Sequence, residues 1–104
     1  ALLEPVEPRL PTAREVETLD LLTLARLVYR WQAAADGPIV VSVRTLIEHV
    51  RSIGFTPGRI ERYTAGLAEL ESLGILERTS DGPQSPRRLR AIAFDEAATR
   101  IAER

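Results

Sequence analysis

Glycine and proline divide residues 42 to 94 into two helical segments followed by two short strands, and this punctuation leaves the chain few folds to adopt. Ser42 can cap the first segment, whose apolar residues Val43, Leu46, Ile47, Val50 and Ile53 recur at i, i+3, i+4 and i+7. Gly54 ends that helix and Phe55 begins a turn. Thr56 offers a cap for the next helix, Pro57 suits its first position, and Gly74 follows its last apolar residue, Leu73. The spacing therefore predicts a helix over 57–73 that buries Ile60, Tyr63, Leu67 and Leu70 and turns Gly58, Arg62, Ala65 and Glu69 outward. Residues 75–78 and 88–94 read as strands, and the Ser-, Asp-, Gly- and Pro-rich stretch 79–86 between them reads as a hairpin loop. Asp95 is expected to cap a last short helix through Ala97 and Ile101.

Upstream, three prolines at 5, 8 and 11 remove backbone donors, so residues 1–11 read as an extended arm or linker. Thr12 and Glu15 have capping-box spacing and open a helix expected to run to about Ala35, where Asp36, Gly37 and Pro38 stop it. Leu21, Leu24, Leu27, Val28 and Trp31 fall on one side of that helix, and Leu22, Ala25 and Tyr29 widen the arc. Only Thr23, Arg26 and Arg30 hold a polar sector. An outer helix needs an apolar stripe of about 100°, and this one has roughly twice that. The surplus predicts a second covering surface, either a homodimer or a neighbouring domain, with Leu24, Leu27, Val28 and Trp31 as its interface. Ile39, Val40 and Val41 form a β-branched run expected to be a small first strand.

Taken together, residues 12–104 form one domain that is mainly α with a small β-hairpin, in the order α-β-α-α-β-β-α of a winged helix-turn-helix. The usual job of such a module is to present a helix and a basic hairpin to nucleic acid. All 14 basic residues are arginine, against 15 acids, and the net charge of −1 does not advertise a polyanion partner. The distribution is more telling. Residues 44–90 carry eight arginines and six acids, whereas residues 1–43 carry four arginines and six acids, which places a basic reading head on an acidic base.

On the expected recognition helix, Thr56, Arg59 and Arg62 lie near the N-terminus, where unpaired amides also favour phosphate. Arg62 is the expected base contact, because a guanidinium can donate two parallel bonds to guanine O6 and N7. Small residues at Gly58 and Ala65 would let the helix approach a major groove closely, while Glu69 and Glu71 confine that approach to its first two turns. Arg87, Arg88 and Arg90 would form a wing on backbone phosphate or the minor groove, although alternation sets Arg88 and Arg90 on one face and Arg87 on the other. Arg44, with Arg51 on the same flank of the preceding helix, adds further phosphate contacts. Competing structural roles exist for all of these: helix-surface solvation, or protection of an edge strand by charge.

Enzyme chemistry finds little footing. His49 is the only histidine and there is no cysteine, so neither a metal site nor a thiolate nucleophile is expected. Ser42 and Thr56 have capping roles and no partnered base, and no glycine-rich phosphate loop is present. No catalytic residue and no cofactor is expected. No apolar run approaches the ~20 residues a membrane span needs, and a cytoplasmic setting is the default expectation.

The segment LAELESLGILER, with the following RRLRAIAFDEAATRIAER, resembles winged-helix repressors of the MarR and PadR types over about residues 42–104. In those families a wing bearing arginine leads to a C-terminal helix used in dimerisation, so the resemblance implies double-stranded DNA binding in transcriptional regulation by a dimer. The stretch TPGRIERYTAGLAELESLGIL is also similar to the C-terminal winged-helix domains of archaeal origin-recognition initiators, which implies origin binding as part of a larger replication protein. Other winged helices bind proteins, as in chromosome-condensing complexes. That reading places the contacts on the acidic face and around Trp31.

Overall fold

The computed structural model describes residues 8–80, 82 and 86–104. It is mainly helical with one small antiparallel sheet: α1 (Ala13–Thr18), α2 (Leu21–Ala34), α3 (Val43–Ser52), α4 (Ile60–Ser72), β1 (Leu76–Arg78), β2 (Arg87–Leu89) and α5 (Phe94–Glu103). The first seven residues of the expected arm lie outside the described residues, as does most of the tip of the expected loop. Residues 8–11 take no regular structure but are tied down, with Pro8 and Pro11 buried and Arg30 Nη1 donating to the Pro8 carbonyl at 2.8 Å.

The single helix expected over 12–35 is two helices. Thr12 and Glu15 do form the capping box that opens α1. Leu19 then turns left-handed at φ 49°, and Asp20 starts a fresh helix by accepting from the Thr23 amide at 2.7 Å. Turning there buries Leu19, which a straight continuation would carry off along the helix. The Asp20 cap supplies the N-terminus that the break requires.

α2 lies at the centre and touches α1, α3, α4 and α5. This overturns the interface expectation. Leu24, Leu27 and Val28 are at most 1% exposed within the chain itself, so the surplus apolar arc is covered by the protein's own helices. Each such side chain contributes about 2 kcal/mol of burial to the domain. Trp31 alone of the four is half-buried, and it stacks on His49 at 4.8 Å between ring centres.

The strand expected over 39–41 reduces to one bridge, Val41 to Arg87, with N–H···O distances of 2.6 and 2.8 Å. The Gln32 side chain takes the backbone before it, donating to the Gly37 carbonyl and accepting from the Ile39 amide. Val40 is left half in water. α3 follows expectation, with Ser42 and Thr45 capping each other's amides and Leu46, Ile47 and Val50 buried. Ile53, expected in that core face, is 41% exposed.

The largest departure is the start of α4. Thr56 caps nothing, Pro57 is not helical, and the helix begins at Ile60 with Arg59 in the N-cap position and no side-chain cap. Gly58 is the physical reason: at φ 78° it carries the chain off the helical path, and Tyr63 Oη donates to the Pro57 carbonyl at 2.7 Å to pin the turn. Ile60 consequently faces solvent instead of the core, whereas Tyr63, Leu67 and Leu70 are fully buried. On the face toward α2, Gly66 meets Leu24 so closely that an added Cβ would overlap Leu24 Cδ2.

Gly74 ends α4 at φ 75°. β1 and β2 pair in the register Leu76 to Leu89, Glu77 to Arg88 and Arg78 to Arg87. The second strand is shorter than expected, since the Ile92 amide turns back to the Arg90 carbonyl and Phe94 already begins α5. Ala93, not Asp95, is the N-cap there. Tyr29 fastens α5 to α2, packing edge-on against Phe94 and donating from Oη to the Ile92 carbonyl at 3.0 Å; burial pushes its hydroxyl pKa up to about 12.

Gly66→Ala is expected to destabilise the domain by about 1 kcal/mol in urea unfolding, because overpacking of a fixed core outweighs the gain in helix propensity. Gly37→Ala, where an added Cβ meets nothing within 4 Å, serves as the neutral control. Thr23 Oγ1 is buried without a hydrogen bond, so Thr23→Val should raise stability by about 1 kcal/mol in the same assay.

Candidate nucleic-acid interface

α4 presents one long face to solvent, carrying Glu61, Thr64, Ala65, Ala68 and Ser72, and the hairpin follows it directly. Beside this face, α3 and α4 enclose a cleft of about 880 Å³, with Val43, Ile47 and Arg51 along one wall and Ile60, Thr64 and Ala68 along the other.

The seven side chains expected to meet DNA divide into three groups. Arg59 and Arg90 are exposed and have no side-chain partner among the described residues; Thr56 is exposed in the turn. Arg44 is 88% exposed and only loosely paired with Glu48 at 3.4 Å, and Arg88 pairs across the hairpin with Glu77 at 2.7 Å. Arg62 and Arg87 have architectural partners. Arg62 Nη1 donates to the Thr18 carbonyl at the end of α1, a bond that complements the negative end of that helix. Its expected base contact is therefore not what this geometry offers. Arg87 lies inward, its side chain only 14% exposed, with Nε donating to Glu71 at 2.7 Å.

Nor does the hairpin gather its arginines into one ribbon. Arg87 closes the hairpin end of the α3–α4 cleft, Arg88 points to solvent, and Arg90 lines a separate shallow hollow with Tyr29, Pro38 and Ile92. Arg51, expected beside Arg44 on one flank of α3, lines the cleft without a partner among the described residues.

Glu71 was not among the expected site residues, yet it fixes the hairpin on α4. Its carboxylate accepts from Arg87 and from Arg78 Nε at 3.0 Å, and these bonds hold its pKa below the ordinary carboxylate value. The sequence signal was available only as register: Arg78 and Arg87 are cross-strand partners at the end of the sheet, and Glu71 lies in the last turn of the helix before it. Glu15 is held similarly, at about 2, by hydrogen bonds from Arg9 and the Thr12 amide. His49 is pushed below its ordinary value by burial.

Among the described residues no group of His, Cys, Asp and Glu could hold a metal ion, and no helix is long and apolar enough to cross a membrane. Comparison of the chain with protein-family models, curated proteins and solved structures finds no match.

A lowered carboxylate pKa stabilises the fold above the unfolded value and loses that contribution as pH falls through the folded value. Acidification from about pH 5 toward pH 2 should therefore release the hairpin clamp, read by NMR as movement of the Arg78 and Arg87 Nε–H resonances. In Glu71→Gln those resonances should sit near their released positions already at neutral pH. Identical titrations in both proteins would refute the clamp.

Proposed function

We propose that the chain is a double-stranded DNA-binding module of the winged-helix kind, serving transcriptional regulation. The observation that carries this reading is a solvent-facing α4, small at Ala65 and Ala68, with uncapped first-turn amides beside unpaired Arg59. Exposed amides at a helix start and a free guanidinium both suit phosphate, and small side chains let a helix lie close in a groove. Arg51 and Arg44 on α3 extend the positive edge. Arg88 adds to it by exchanging Glu77 for phosphate, since an exposed ion pair is worth little to the fold.

The division of labour differs from that expected of the sequence. Arg59, Arg51, Arg44 and Arg88 meet the phosphate backbone; Arg62 and Arg87 hold the helices and hairpin in place. With Arg62 so occupied, thymine methyl groups against Ala65 and Ala68 are the natural base contacts.

Fluorescence anisotropy with duplex DNA of mixed sequence tests this. Micromolar binding at about 50 mM salt is expected, falling steeply as salt rises. Arg59→Ala and Arg51→Ala should each weaken all duplexes about equally and lower the salt slope by about 1. Absence of binding at about 50 mM salt would sink the reading.

A further inference from the structure

The most solvent-exposed large apolar side chain among the described residues is Ile60, at 59%. It is also the one apolar residue of α4 whose burial the domain gives up by starting the helix late. It forms one wall of the α3–α4 cleft, opposite Ile47 and Val43. We propose that this cleft is the docking groove for a short acidic amphipathic helix of a partner protein.

Shape gives the first argument. Val43, Ile47 and Arg51 recur at i, i+4 and i+8 on α3, and Ile60, Thr64 and Ala68 recur with the same spacing on α4. Each wall therefore offers one straight row, about 12 Å long, which matches roughly two turns of a third helix. Aliphatic side chains at i, i+4 and i+7 of that helix fill the space between Ile47, Ile60 and Ala68.

Charge gives the second. Arg51, Arg44 and Arg87 stand around an apolar floor, while Glu48 is the single acid lining the cleft. Arg51 has no partner among the described residues and Arg44 is almost wholly in water, so both can meet carboxylates without losing a strong bond within the chain. Polyphosphate alone satisfies the arginines but leaves the aliphatic floor wet. An acidic helix with an aliphatic stripe satisfies both. This inference shares Arg44, Arg51 and Ala68 with the DNA reading and differs from it in depending on Ile60, Val43 and Ile47, which phosphate contacts do not use.

The test uses the full chain and two fluorescein-labelled helical peptides of equal length. Both carry leucine at i, i+4 and i+7; one has glutamate at its other positions and the other has lysine. The acidic peptide should bind saturably and at least about tenfold more tightly than the basic one. Ile60→Asp should weaken it by about tenfold or more, and Arg51→Glu should remove the preference for the acidic peptide. Ile60 and Arg51 are exposed, so both variants should retain the thermal unfolding of the parent, which circular dichroism checks. Failure of the acidic peptide to saturate, equal binding of the two peptides, or indifference to both substitutions would overturn the proposal. So would NMR perturbations from the acidic peptide that fall outside the cleft while duplex DNA perturbs Ile60 and Arg51. Duplex affinity, measured separately, decides the DNA reading without bearing on peptide binding.

Discussion

The close approach of Gly66 to Leu24 sets the geometry on which the other elements depend. A side chain at 66 would overlap the end of the Leu24 side chain, which would have to shift inside the buried contact that Tyr63, Leu67 and Leu70 share with the rest of the core. Because α2 touches all four other helices in a close-packed core, displacements of α4 are felt by the rest of the domain. The hairpin inherits its position from the same crossing, through Ile75, whose amide bonds the Leu70 carbonyl at the end of α4, and through the Glu71 clamp. The face that α4 shows to water is thus a consequence of what its opposite face buries.

Exclusive use of arginine as the cation has a structural logic. Arg62 donates to a carbonyl at the end of α1, Arg100 to the Leu73 carbonyl at the end of α4, and Arg104 to the Ile101 carbonyl in the last turn of α5. Terminal carbonyls carry the negative end of the helix dipole, and a planar guanidinium with several donors can reach one of them while also pairing elsewhere. Arg100 does both, reaching Glu96 as well at 3.1 Å. Of the arginines that read in the sequence as a polyanion surface, Arg62 and Arg87 instead hold the fold together.

Periodicity and local capping signals made most of the helical core legible: Ser42 opens α3, Gly74 closes α4, and Leu46, Ile47 and Val50, Tyr63, Leu67 and Leu70, and Ala97 and Ile101 are buried where spacing puts them, whereas Ile53 and Ile60 at the row ends are exposed. Three features were not legible, two because one local signal outweighed another and one because it depends on the whole assembly. Asp20 restarted a helix whose apolar pattern ran on unbroken. The Tyr63 hydroxyl favoured a turn at Pro57 over the helical start that proline usually marks. The apolar surplus of α2 pointed outward in a pattern analysis that could not know how many helices would surround it. For the candidate site, the sequence named α3, α4 and the hairpin but not the partners of their arginines, since Thr18 and Glu71 are brought to Arg62 and Arg87 only by the fold.

The uncapped opening of α4 carries a further meaning. Serine, threonine or aspartate in place of Arg59 would satisfy a first-turn amide and add about 1 kcal/mol of helix stability, a gain the chain forgoes here and at Ala93 of α5 while taking it at Thr12, Asp20 and Ser42. A domain that caps three helices and leaves α4 and α5 open retains backbone hydrogen-bond donors at those two starts, and the α4 start lies beside the exposed Arg59. That is unclaimed stability in the isolated molecule, available to whatever acceptor arrives from outside.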